Sequence, residues 1–144
     1  GLLLLDGIDR QTLGASIWRR RVVAVPQFLE KHIFVGTLAF NLLMGAEWPP
    51  RNEDLERADA MCRALGLGDL LDRMPSGLMQ QVGETGWQLS HGERSRVCVA
   101  RALLQGGDFL VFDESFGQLD PESLQGTLRF VLERAPTVMV IAHP

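Results

Sequence analysis

Apolar residues along the chain fall into two rhythms. Continuous runs read as strands: GLLLLDG at the start, RVVAVPQ with a strand from Arg21 to Val25 ended by Pro26, DFLVFDES, and TVMVIA near the end. The last two show no polar alternation, which is the pattern of strands buried on both faces of a parallel sheet. Elsewhere apolar positions recur at helical spacing. Leu55, Ala58, Met61, Cys62 and Leu65 mark one helix, with Asn52 as its candidate cap, acids in its first turn and Gly66 as its stop. A second runs from Ser90 to about Gln105, and a third, in DPESLQGTLRFVLERAP, starts at Asp120 or Pro121. Shorter helices are expected around Leu38 to Met44 and in GDLLDRMP. A turn at Asp6 and Gly7 leads into a short helical or irregular segment. Strand, helix and strand at the C-terminal end make a βαβ unit, whose two strands should lie parallel and adjacent. The fold class is α/β.

Composition narrows this picture without redirecting it. At 144 residues and 46% hydrophobic, the chain can bury one core and reads as one globular unit or part of one. The net charge is −4, and the basic residues are scattered apart from Arg19, Arg20 and Arg21, so a nucleic-acid partner is not expected. Cys62 and Cys98 stand far apart in helical stretches, which fits neither a disulfide framework nor a zinc site and suits a reducing compartment. The apolar runs fall short of the roughly 18 residues needed to cross a bilayer, and no signal peptide opens the chain, so the chain as given is expected to be soluble. Both ends read as cut from something larger, since the first residues already form a strand and the last ones end another.

Polar residues that follow the strands are the candidates for chemistry. In an open parallel sheet, ligands sit beyond the carboxyl ends of strands, where FLVFDE places Asp113 and Glu114. One carboxylate there can hold a hydrated Mg²⁺ on a nucleotide, while the other orients and deprotonates an attacking water; a solvated acidic turn is the plainer alternative. Gln27 after RVVAVP and His143 after TVMVIA hold equivalent places, and either alone is an ordinary surface residue. Together Gln27, Glu114 and His143, each following a strand, could line one sheet edge. Ser90 and Glu93, three apart before an apolar run, form a capping box that accounts for both. The box leaves Gly92 unexplained, because glycine in a first helical turn costs up to about 1 kcal/mol relative to alanine. A glycine permits close approach to backbone N–H groups at the positive end of a helix, a site suited to phosphate.

These residues resemble the ATP-binding cassette (ABC) ATPases. LSHGE is similar to that family's signature motif LSGGQ, FLVFDE to its Walker B motif, GQLD to its D-loop, VPQ to its Q-loop and IAHP to its switch histidine, in the family's order along the whole chain. The resemblance implies a partial P-loop NTPase-like parallel sheet core with an inserted α-helical signature subdomain. Residues 1–28 and 106–144 would form the sheet portion and about 29–105 the helical subdomain. It implies ATP and Mg²⁺ as cofactors. Asp113 would help hold Mg²⁺, Glu114 would polarise the hydrolytic water, and His143 would contact the γ-phosphate. Gln27 would reach the metal and sense a membrane partner. Asp120 would belong to the loop that links two protomers. Ser90, His91, Gly92 and Glu93, at the helix start, would meet the γ-phosphate of an ATP held by a second nucleotide-binding domain.

The chain also departs from the family pattern. His91 stands at the usual first glycine of the signature, Glu93 at the usual glutamine, and Gly117 and Gln118 differ from the usual SALD. No GxxxxGK[ST] loop occurs, and the single lysine, Lys31, has no glycine-rich stretch before it; the adenine-stacking aromatic is missing too. Both are expected upstream of Gly1. The span between Gln27 and Ser90 is too short for a long coiled coil. HIFVGTLAFNLLMG resembles the exporter pattern F-x-G-T-x-x-x-N-[LI], and VGETG resembles the exporter segment whose glutamate, here Glu84, touches coupling helices. The implied protein is an exporter-type ATPase at the cytoplasmic face of a membrane, bacterial inner membrane by preference, with a transmembrane domain fused upstream. An ABC ATPase without a membrane domain, acting in translation or repair, and a non-catalytic regulatory cassette are the alternatives.

Overall fold

The structure is a computed structural model that describes residues 1–25, 27 and 33–142. It opens with a tight hairpin, β1 (Leu4–Leu5) against β2 (Ile8–Asp9). Asp6 and Gly7 form its turn with φ of 52° and 77°, the doubly left-handed geometry that suits the twist of a two-residue hairpin. The opening strand is thus shorter than the run of leucines implies. Two short helices follow, α1 (Arg10–Leu13) and α2 (Ala15–Arg21), separated at Gly14 with φ 80°. The Asp9 carboxylate caps α1 by accepting from the Thr12 N–H at 2.8 Å.

The chain then enters β3 (Val22–Val25), and after Gln27 it resumes in β4 (Gly36–Thr37), α3 (Leu38–Leu42), α4 (Asn52–Ala64) and α5 (Gly68–Arg73). A single 3-10 turn, Gly77–Met79, leads to β5 (Gln81–Val82), which pairs antiparallel with β4. The long helix α6 (His91–Gln105) returns to the sheet at β6 (Phe109–Asp113), and α7 (Pro121–Arg134) crosses to β7 (Val138–Ile141). The parallel sheet has the order β3-β6-β7, with Val25 opposite Phe112 and Asp113 opposite Ile141. The expected βαβ unit is present, its strands adjacent and parallel.

One core joins the sheet to the helices. Helix α6 packs onto β3 and against α3, α4 and α7. Its Val97, Val99, Ala100 and Ala102 are buried with Leu38 and Leu42 of α3, Cys62 of α4, and Leu110 and Phe112 of β6. Burying a side chain the size of Phe112 contributes about 2 to 3 kcal/mol, and truncating it to alanine would cost about 3 to 5. Arg96 of α6 donates to the carbonyl of Gly66 at 2.7 Å, closing the end of α4 where Gly66 takes a φ of 72°.

Three expectations need correction. The cap of α4 is Arg51, and Asn52 is its first helical residue; the Asp54 carboxylate reaches back to the Arg51 N–H at 3.1 Å. In β6 only Leu110 and Phe112 are fully buried, while Phe109 and Val111 are half-buried. Strand β7 is not buried at all beyond Val138: Met139, Val140 and Ile141 are 42 to 45% exposed. The strand has β6 on one side only, and an apolar run carries no periodicity that tells which of its faces is covered. No helix among the described residues is long and apolar enough to cross a membrane.

Candidate functional site

Because β3, β6 and β7 run parallel, their carboxyl ends form one edge. Glu114 follows β6 directly, and its N–H donates to the Ile141 carbonyl at 2.8 Å, so the residue is tied to the neighbouring strand. Its backbone is left-handed, with φ 49°, a conformation that costs a non-glycine residue on the order of 1 kcal/mol or more. Gln27, two residues past β3, donates from Nε2 to the Glu114 carboxylate. Ser115 is buried, and its hydroxyl lies 3.0 Å from the Val25 carbonyl and 3.2 Å from that of Asp113, fastening the ends of β3 and β6 to each other. Together Gln27, Glu114, Phe116, Gln118, Leu128 and Ile141 line a cavity of about 430 Å³. Asp113 is half-buried as the last residue of β6. His143 lies outside the described residues.

Among the described residues no group of three His, Cys, Asp or Glu side chains is placed to hold a metal ion. That is compatible with Mg²⁺, which commonly takes one or two protein ligands and completes its shell with phosphate oxygens and water. Asp113 and Gln27 are chemically suited to such a role.

The start of α6 is built as the spacing of Ser90 and Glu93 predicts. Ser90 is the cap; its hydroxyl accepts from the Glu93 N–H at 3.2 Å, and the Glu93 carboxylate accepts from the Ser90 N–H at 2.8 Å. The box leaves the N–H of Gly92 unused and the hydroxyl proton of Ser90 available to a further acceptor. A Cβ added at Gly92 would meet only the Gln118 carbonyl at 3.7 Å and a Leu119 methyl at 3.8 Å, ordinary contact distances. Nothing among the described residues therefore requires glycine there. His91 is exposed at the first helical position.

Those two contacts also show that the helix start adjoins the loop from β6 to α7. Two tight turns, closed by Gly117 N–H to Glu114 O and Leu119 N–H to Phe116 O, carry the chain to Asp120. Asp120 caps α7, and hydrogen bonds from the Ser123 hydroxyl and N–H hold its carboxyl below the usual carboxylate range.

Glu84 lies apart from this edge. It is exposed in the loop between β5 and α6, which Gln88 braces by donating to the carbonyls of Gly83, Glu84 and Gly86. Gly86 is obligatory, since a Cβ there would lie 2.5 Å from the Gln81 carbonyl. Phe34, Val35, Glu84, Trp87 and Arg94 line a groove of about 320 Å³. Its far wall depends on Asn41, which is fully buried. Asn41 Oδ1 accepts from the Phe34 N–H at 2.8 Å, and Nδ2 donates to the carbonyls of Phe34 and Thr37 at 2.9 and 3.1 Å. Arg101 of α6 donates to the Asn41 carbonyl at 2.6 Å and lies over the Phe34 ring; burial lowers its pKa. This accounts for Phe34, Thr37 and Asn41 in the F-x-G-T-x-x-x-N pattern. Sequence reasoning missed Arg101 and Ser115, whose partners Asn41 and Val25 lie 60 and 90 residues away.

A profile of the ABC transporter family matches residues 1–117. The chain is 34% identical to the ABC multidrug transporter MDR1 of Cryptococcus neoformans, over 99% of its length and 10% of that protein. It is 37% identical to the ATP-dependent lipid A-core flippase of Vibrio cholerae, over 99% of its length and 24% of that protein. A bacterial Atm1-family ABC exporter with ATP bound superposes on all of the chain with a TM-score of 0.81 and 32% identity, through 24% of the exporter's own length. The chain belongs to the ABC transporter family, and it spans between a tenth and a quarter of the length of these relatives.

Proposed function

We propose that the chain is part of the nucleotide-binding domain of an ABC exporter, in which ATP binding and hydrolysis power transport across a membrane. The observation that carries this reading is the Gln27–Glu114 contact at the carboxyl edge of the sheet, beside a cavity and next to Asp113. ATP bound with Mg²⁺ supplies a γ-phosphoryl group open to attack by water. Glu114 then takes the proton of that water, and the Gln27 amide holds the carboxylate toward the cavity. Asp113, with Gln27, would hold the metal, which would supply charge neutralisation at the phosphates. His143 is assigned to the γ-phosphate by the motif alone.

Ser90 and Gly92, with the start of α6 behind them, serve the nucleotide of a second domain, so that two domains close on two ATPs in two-fold symmetry. That no contact among the described residues requires glycine at 92 supports a surface facing outward to a ligand. Asp120 and its loop lie beside this surface and would meet the partner domain. The groove at Glu84 would receive the membrane domain. In this division residues 1–28 and 106–144 belong to the sheet portion and 29–105 to the helical subdomain, at the cytoplasmic face of the membrane.

The test is Glu114→Gln in the full-length protein. Steady-state ATPase is expected to fall by roughly 10²- to 10⁴-fold, the scale of a lost general base, while ATP-dependent dimerisation survives. Unchanged turnover would remove Glu114 from the chemistry. The 144 residues alone are expected to show negligible ATPase.

A further inference from the structure

Glu93 sets a problem for phosphate binding at the start of α6, and the role inferred for its partner rests on the proposed binding of a nucleotide there. A carboxylate one turn into a helix repels an anion brought to that helix's start. Both of its oxygens are engaged: Oε2 accepts from the Ser90 N–H at 2.8 Å, and Oε1 accepts from Arg73 Nη2 at 2.6 Å. The Glu93 side chain is only 13% exposed, while that of Arg73 is 57% exposed, so the carboxylate is held against the protein and is reached by a guanidinium from the surface.

Arg73 is the last residue of α5, where the helix dipole favours a cation. Its neighbour Asp72 is already taken by Arg63 at 3.1 Å. Arg96, the other cation in this groove, is turned to the carbonyls of Gly66 and Gly92. The guanidinium that meets Glu93 is therefore that of Arg73.

We propose that Arg73 is a positioning residue for the nucleotide bound across the dimer. It cancels the charge of Glu93 and pins the capping box, so that Ser90 and Gly92 offer a phosphate the positive end of α6 unopposed. Glutamine at position 93 would keep the box without the charge and would need no such partner.

The experiment measures ATP KM and kcat of the full-length protein as wild type, Arg73→Gln, Arg73→Lys, Glu93→Gln and the double variant R73Q/E93Q. R73Q should raise KM roughly two- to fivefold, the scale of one charge near a helix terminus, and change kcat less. R73K should fall between R73Q and wild type. R73Q/E93Q should have the same KM as E93Q, so that removing Arg73 raises KM only while position 93 carries a charge, which a merely structural role of Arg73 would not produce. An unchanged KM in R73Q, in a wild type that hydrolyses ATP, overturns the proposal, as does an equal rise on the E93Q background. A wild type without ATP turnover would instead overturn the functional reading and this inference with it.

Discussion

Gln27 and Glu114, 87 residues apart in sequence, meet through a hydrogen bond from the glutamine amide to the carboxylate. The pairing of β3 with β6 makes this possible: with Val25 opposite Phe112, the residues just beyond each strand emerge side by side. The contact ties Gln27 to the carboxylate proposed to activate water, so a displacement of Gln27 is felt at Glu114.

Removing the donor should lower turnover, and replacing it with a like charge should lower it further. In the full-length protein we expect kcat to fall in the order wild type, Gln27→Ala, Gln27→Glu, with Q27A down about tenfold or more, the scale of a hydrogen bond to a charged group. Equal ATPase rates in all three would show that the contact plays no part in turnover.

Gly92 and Ser90 should separate binding from folding. Gly92→Ala adds a methyl group in ordinary contact and improves helix propensity, so stability should hold or rise by up to about 1 kcal/mol while ATP-driven dimerisation weakens. Ser90→Ala loses the cap and should cost about 1 kcal/mol as well as weakening dimerisation. Urea denaturation and ATP-dependent dimerisation, measured on both variants, check this pairing. A G92A variant that dimerises like wild type would remove the helix start from the nucleotide.

Asn41 should matter for stability. Asn41→Leu keeps the volume and strips partners from the backbone of Phe34 and Thr37, and removes the Oδ1 that accepts from Arg101 Nη2 at 3.2 Å, while the Arg101 bond to the residue-41 carbonyl remains. Leaving those groups buried and unpaired should cost about 2 to 4 kcal/mol in denaturant unfolding. A loss under about 0.5 kcal/mol, the range of neutral surface changes, would contradict the role of the Asn41 side chain in holding Phe34 and Thr37.

Thiol chemistry offers a pH-based check on the core. Burial, and secondarily the charge of Asp59, pushes the Cys62 thiol up to about 12, and burial raises Cys98 as well. With a raised pKa the thiolate is scarce at all pH values below it, on the order of one part in ten thousand at pH 8 for Cys62. Maleimide at pH 8 should therefore label neither cysteine until guanidinium unfolds the chain. Rapid labelling of the native chain would contradict the burial of both.

What the sequence revealed was local. Ser90 with Glu93, and Asp120 with Pro121, announce helix starts because a cap and its partner lie within one turn, and the structure begins α6 and α7 there. Glu114 was legible as a strand-end carboxylate because an apolar run points to where it stops. What stayed hidden was non-local. The partners of Arg73, Arg96 and Arg101 lie 20, 30 and 60 residues away, and no spacing rule reaches that far. The exposure of β7 was hidden for a related reason: an unbroken apolar run records that a strand suits burial, and which neighbour covers it is written elsewhere in the chain. Asn52 was misplaced as a cap by one residue, since the Asp54 carboxylate takes the N–H of Arg51 instead.

The left-handed backbone at Glu114 has a consequence for how activity and robustness trade against each other. Glycine adopts that conformation without the steric penalty, so the local backbone would be more at ease with the one residue that has no carboxylate to offer. A screen of this domain for heat resistance alone would accordingly find position 114 attractive and select variants without the proposed base. The chain holds its candidate base in a posture that folding by itself would not choose.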